Sequence, residues 1–386
     1  MGEAVKPGPL VYVLFGCGAL VFLAFVGLIG AGMLAKAHRE ATTGWAFVNP
    51  AGEVVIPGPF DEVRPFAEGL AAVRVEGKGW GFVDREGRTV IAPRFREVSD
   101  FGEGLAAAED PDSGRFGYLD PSGAWAIQPA WQLARAFADG RAVVGLAVGR
   151  TSSRVSMGQT IYAQGLIDRT GYMVHAPAKD ADHPLRWSTA WRFSEDLLAV
   201  QVGGRRWGYA RPDGSWAIEP RFEAAEAFSG GCAAVQEDGR WGVLRADGSW
   251  LVEPRFGGAV ALREGRCAVE AAEGWAFVDT EGRLPFTERF RGVRPCSEGL
   301  AAVHTDAGWG FVDAQGQQRV APRFQDVAPD GFQGGLCAVA LPAGANYTWQ
   351  FVTPSGDPAW EASYPEVESF SEGLAAVRVP RAKPGT

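Results

Sequence analysis

Nine glycines constrain this chain more than any other feature. They stand at positions 52, 87, 123, 171, 214, 248, 282, 316 and 356. Each lies seven residues beyond one of nine anchors: Trp45, Trp80, Phe116, Gln164, Trp207, Trp241, Trp275, Trp309 and Trp349. Three successive anchor spacings are 34 residues, and the first two are 35 and 36. Fifteen residues after the anchor, eight units carry an aromatic: Phe60, Phe95, Trp131, Phe222, Phe256, Phe290, Phe324 and Tyr364. Self-similarity of this kind means one small supersecondary unit, repeated and stacked so that neighbours bury what a single copy cannot.

Each offset has a physical reading. Trp80-Gly81-Phe82-Val83-Asp84 alternates as a strand, with Trp80 and Phe82 on one face. Asp84, Asp120, Asp168, Asp279 and Asp313 lie three residues before the spaced glycine. Asp at the first and Gly at the fourth position predict a type I turn with the carboxylate capping backbone amides. A second strand such as Thr89–Ala92 follows, and Pro93, Pro129, Pro220, Pro254 and Pro322 end it, because proline cannot donate to a ladder. A third strand, Leu70 to Val75 in the first unit, leads through a tight Glu76-Gly77-Lys78-Gly79 turn to the next Trp. The unit is predicted to be a three-stranded antiparallel meander.

Composition agrees. Fourteen Trp and 23 Phe beside 52 Gly and 25 Pro describe many short strands rather than helices. The net charge of −9 has no basic block, so no nucleic-acid partner is expected. Four His and five Cys in no ligand spacing predict no metal and no cofactor. No nucleophile elbow, phosphate loop or zinc-protease motif occurs, which points away from an enzyme.

The N-terminus differs in kind. Residues 10–35 form 26 consecutive positions without a charge. As a helix they reach about 39 Å against a hydrocarbon core of roughly 30 Å, so one transmembrane helix is expected, contacting membrane lipid. Residues 1–9 form a short tail before it, 36–43 a linker and 380–386 a C-terminal tail. The alternative is a cleaved secretory signal ending at Ala35-Lys36-Ala37, although cleaved signals use a shorter apolar stretch. Lys6 on one side nearly balances Lys36 and Arg39 on the other, so charge counting leaves orientation open. The repeats are expected outside the cytoplasm.

The run Lys78-Gly79-Trp80-Gly81-Phe82-Val83-Asp84-Arg85-Glu86-Gly87 resembles the WG-repeat family, as do Ala92-Pro93-Arg94-Phe95 and Phe101-Gly102-Glu103-Gly104-Leu105-Ala106. The resemblance spans residues 44–379; Ala46, Ala276 and Gln350 depart from it in place of Gly, and Gln164 in place of Trp. It implies a bacterial β-repeat array, often attached to the envelope, with no catalytic residues to carry over.

Three insertions interrupt the repeat: Gly145 to Ala163, Tyr172 to Arg186, and Leu341 to Tyr347. A recognition site would be sought in the first two, around Arg150, Arg154, His175, Asp180, Asp182 and His183; the competing reading is drift in a tolerant loop. Two imidazoles and two carboxylates within nine residues have metal-ligand chemistry but match no recognised spacing. Two charge columns recur: Arg94, Arg221, Arg255, Arg289 and Arg323 before the aromatic, and Glu68, Glu103, Glu264, Glu298 and Glu372 before the third strand. They read either as a recognition stripe or as pairs holding neighbours together. Cys232, Cys267, Cys296 and Cys337 replace apolar core positions, which predicts buried thiols.

The expectation is an all-β array of nine units behind one membrane helix. Its first form is an elongated, superhelical solenoid-like stack, and its alternative a closed propeller-like ring. The function expected is a membrane-anchored scaffold binding a protein or envelope polymer without catalysis. The alternatives are an envelope hydrolase with a site in 145–186, or a structural spacer.

Overall fold

The computed structural model describes residues 43–380, apart from 151–159, 177–186, 191–192, 204, 280, 285–287 and 345. The expected membrane helix at 10–35 lies outside the described residues, among which no helix is long and apolar enough to cross a membrane. The described chain is strand and turn throughout, in nine small antiparallel sheets, none closed into a barrel.

The sheets are out of phase with the predicted units. Strands β1 (Thr43–Val48) and β2 (Val54–Phe60) belong to one sheet; β3 (Glu62–Val63), β4 (Leu70–Val75), β5 (Gly79–Asp84) and β6 (Thr89–Phe95) form the next, in that order. The third strand of one unit therefore pairs with the Trp strand of the following unit, Val75 opposite Gly79 and Leu70 opposite Asp84. The tight turn at Glu76–Lys78 makes this local hairpin the easiest pairing to form, and the chain changes sheets in the irregular stretch instead.

That phase has a consequence at the ends. The ninth unit's last strand, Ala375–Pro380, pairs with β1 from Thr43 opposite Pro380 to Val48 opposite Ala375. The array closes head to tail. The open, elongated superhelix expected first is corrected by this pairing: the sheet at the seam is built from both ends of the repeat region.

Apolar clusters join each sheet to the next around the ring, including Trp45, Phe47 and Phe66 beside the seam and Val48 with Phe351 and Phe370 on its other side. The anchor tryptophans are unevenly buried. Trp45 and Trp80 are buried, but Trp207, Trp241, Trp275, Trp309 and Trp349 are only half-buried. The inter-sheet lock is the aromatic two residues past the anchor against a second aromatic nineteen further on, or twenty-one in the eighth unit. Phe47–Phe66, Phe82–Phe101, Tyr118–Phe137, Tyr209–Phe228, Phe311–Phe332 and Phe351–Phe370 all meet edge to face at 4.7–5.1 Å. Such pairs contribute about 0.5–1.5 kcal/mol each beyond their buried area.

The predicted Asp turns form as read. Asp84 accepts from the backbone amides of Glu86 and Arg88, and Asp120, Asp168, Asp279 and Asp313 repeat the arrangement. The spaced glycine lets each turn seat on the preceding sheet. A Cβ on Gly87, Gly123 or Gly171 would stand 3.0–3.2 Å from Ile56, Ile91 or Ile127.

The described parts of the first insertion, Gly145–Arg150 and Thr160–Ala163, lengthen the paired strands Arg141–Arg150 and Thr160–Asp168. Part of the second becomes the outer strand Met173–His175 of the same sheet.

Candidate functional site

The charge columns are consumed by the fold. The backbone amides of Glu68 and Gly69 donate to the Glu372 carboxylate at 2.8 and 2.9 Å, closing the seam. Glu68 in turn accepts from Gly104, Glu103 from Gly140, Glu264 from Glu298 and Gly299, and Glu298 from Gly334 and Gly335. Each glutamate therefore caps the next unit's turn, an amide partner that the sequence reading did not name. Arg94, Arg221, Arg255 and Arg323 lie over the rings of Phe95, Phe222, Phe256 and Phe324 at 4.8–5.1 Å, inside their own sheets. Both columns serve packing and capping.

The residues singled out in the insertions are not brought together within the described part. Arg150 ends its strand opposite Thr160. Arg154, Asp180, Asp182 and His183 lie outside the described residues. His175 stands where other units have Ile56, Ile91 or Ile127, half-buried against the turn glycine Gly214, whose φ is +84° and whose Cβ would come within 2.7 Å of the imidazole. Burial lowers its pKa below the ordinary histidine value. Its position is that of an inter-sheet packing residue.

Sequence reasoning missed a different set. Two residues before the aromatic that follows β3 or its equivalent (Cys296 in the seventh unit), the units carry Arg64, Ser99, Arg135, Glu226, Arg294, Asp330 and Glu368. Their flanks repeat, yet here the charge changes sign from unit to unit, and that contrast was the readable signal. Two cavities open along these positions. One, of about 390 Å³, runs past Arg64, Ser99, Asp100, Phe116 and Arg135 of the first three units. The guanidinium of Arg64 lies 5.4 Å over the Trp80 ring.

The other, of about 290 Å³, is lined by Pro65, Arg263, Asp330, Gln333, Glu368 and Ser369 among others. These belong to units one, six, eight and nine. A single cavity can touch the sixth and the first unit together only from the inner side of the ring. Ser369 donates its hydroxyl to Asp330 at 3.3 Å, and the Gln333 amide donates to the Asp330 carbonyl at 3.1 Å and to the Ser297 hydroxyl at 3.2 Å. Burial, then the neighbouring Asp330 and Glu366 carboxylates, push Glu368 above the ordinary glutamate range. Arg378 takes Glu366 in an ion pair at 2.8 Å. The cavity is thus lined by two carboxylates and by the exposed Arg263 guanidinium.

Comparison with known proteins places matches to the model described as "WG containing repeat" at residues 45–78, 80–110, 116–146, 207–241, 309–341 and 352–379. No curated protein matches the sequence. Among solved structures, the extracellular domain of a protein described as a hybrid two-component system from B. thetaiotaomicron aligns at 10% identity and a TM-score of 0.27, over 81% of this chain and 52% of its own. This chain thus spans about half the length of that structure. The dihydro-heme d1 dehydrogenase NirN aligns at 10% identity and 0.41, over 83% and 72%. PorZ, a surface component of the type-IX secretion system of Porphyromonas gingivalis, aligns at 11% and 0.32, over 76% and 43%.

Proposed function

The chain belongs to the family built from the WG containing repeat, and from that premise we propose a non-catalytic binding scaffold, held at a membrane, that recognises its partner through the inner wall of the ring. One observation carries this reading. The charged side chains that recur in register hold the ring together, whereas the inner-wall residues Arg64, Arg135, Asp330 and Glu368 vary between units and line open cavities. Repeat proteins keep recognition on positions the architecture leaves free.

The anchor is residues 10–35, and the partner is a protein or an envelope polymer outside the cytoplasm. The position of Thr43 supports a defined orientation. It pairs with Pro380 at the strand ends where the other sheets place their Glu76–Lys78 type of hairpin. The linker of residues 36–42 reaches at most about 25 Å, so these hairpins face the bilayer and the Asp turns face away.

The test is capture from the cell envelope by the tagged full-length chain in detergent, beside a variant carrying Arg64→Ser, Arg135→Ser, Asp330→Asn and Glu368→Gln. A reproducible partner that the variant loses is expected. Equal recovery by both, or none by either, sinks the reading. Cysteine substituted for the exposed Lys78 and labelled in intact cells tests the side of the membrane.

A further inference from the structure

We propose that the axial cavity of about 290 Å³ binds a small zwitterion of amino-acid size, its ammonium group between Asp330 and Glu368 and its carboxylate on Arg263. This rests on the reading that the inner wall is the recognition surface.

Three departures from the repeat converge on this one cavity although they lie far apart in the chain. At the position after the inner aromatic, the units carry Ala67, Gly102, Ala138, Ser194, Ser229, Ser297, Gln333 and Ser371, and the sixth alone carries Arg263. The eighth unit has two extra residues between Phe324 and Phe332, and Asp330 follows them directly. The ninth carries Glu368, as the fifth carries Glu226, where the first, third and seventh carry Arg64, Arg135 and Arg294. Packing does not ask for any of the three, since other units close the same contacts without them.

The chemistry they bring to the one cavity is complementary in sign. Arg263 is exposed and makes no ion pair with another described residue, so its planar fork is open to a carboxylate. Asp330 is held in place by the Ser369 hydroxyl, and the Gln333 amide fixes the backbone beside it. Glu368 is exposed on the same wall as Asp330, and the two carboxylates reinforce one another as a site for a cation. A cavity at the small end of the usual range for ligand sites suits a molecule carrying both charges on a short frame.

Calorimetry on the full-length chain in detergent tests this with L-alanine and L-lysine, and with ethylamine and propionate as the two halves of alanine. At least one amino acid is expected to bind ten-fold or more tightly than either half. Arg263→Ser, a residue the repeat already accepts there, should reduce alanine to the affinity of ethylamine. Asp330→Asn with Glu368→Gln should reduce it to that of propionate. Ethylamine binding as tightly as alanine, indifference to Arg263→Ser, or no heat with any probe overturns the proposal. If that happens while the envelope partner is still lost from the inner-wall variant, the ligand class is wrong and the recognition surface stands. If partner capture is also unchanged, both are wrong.

Discussion

Gly81 lies beneath Pro93. A Cβ on the glycine would stand 2.6 Å from the proline nitrogen, 2.8 Å from its Cα and 2.5 Å from the Ile91 carbonyl oxygen. The outer strand β6 bends across β5 there, with a shift of register between Trp80 and Phe82. Gly117, Gly208, Gly242 and Gly310 repeat the contact against Ile127, Ile218, Val252 and Val320 and their prolines. The Gly of the Trp-Gly pair is therefore fixed by a backbone passing over it. The three units that depart from it also lack the proline: Ala46, Ala276 and Gln350 go with Gly58, Glu288 and Ala362.

Gly242→Ala should consequently destabilise the ring by about 1–3 kcal/mol, because the strand must move to admit a methyl group. Ala276→Gly, where no proline crosses, should cost at most about 1 kcal/mol, as loss of a side chain in a strand does. Urea unfolding followed by tryptophan fluorescence compares them. Equal losses would remove the steric explanation.

Much of this fold was legible because period and packing share a cause. The Asp turns, the buried Phe95, Phe222, Phe256 and Phe324, and the four buried cysteines follow from local alternation and turn chemistry. The closing pairing was not legible, since Thr43 and Pro380 are each ordinary strand ends and only the phase of the hairpins makes them partners. His175 misled for a related reason. Its residue type suggests a ligand, whereas its offset from Gln164 equals that of Ile91 from Trp80, and the offset decides the role. His175→Ile should therefore leave the fold intact and keep or raise its thermal midpoint; unfolding of this variant would return the imidazole to a specific role.

Closure depends on Glu372, which takes two amides from the first unit and pairs with Arg85 at 2.7 Å. Glu372→Ala should cost about 1–3 kcal/mol, the usual range for charged hydrogen bonds left unmade. Amide exchange should accelerate first in β1 and Ala375–Pro380, since among the described strands these alone pair residues of distant sequence. Glu298→Ala removes the same kind of contact within continuous chain and should leave the seam protected. Uniform acceleration around the ring in both variants would show that the seam is no weaker than any other interface.

Thiol chemistry reports on the cores between sheets. Burial pushes Cys296 up to about 11 and Cys337 up to about 12, and both are nearly inaccessible. A thiol that stays protonated at pH 8 is not a nucleophile. Iodoacetamide applied to the native chain should leave residues 296 and 337 unmodified over hours, with full modification in urea, read by peptide mass spectrometry. Rapid native modification of either would mean that those interfaces open readily.

Acid should act on the ring in two opposed ways. The Ser122 hydroxyl and backbone amides hold Asp120 below its ordinary value of 3.8, and the Thr170 hydroxyl and amides do the same for Asp168. A carboxylate lowered on folding adds stability above its unfolded pKa and loses it as pH falls through the folded one. The thermal midpoint should therefore hold down to about pH 4 and drop below it. Glu368 runs the other way, because burial and then Asp330 and Glu366 raise it from 4.5. Its neutral form suits the fold, and that contribution is present at low pH and lost as pH rises through the raised value. Glu368→Gln, which mimics the neutral form, should raise the midpoint of the ligand-free protein at pH 7 and leave it unchanged near pH 4. A gain of the same size at both values would mean that the carboxylate is not what strains the inner wall.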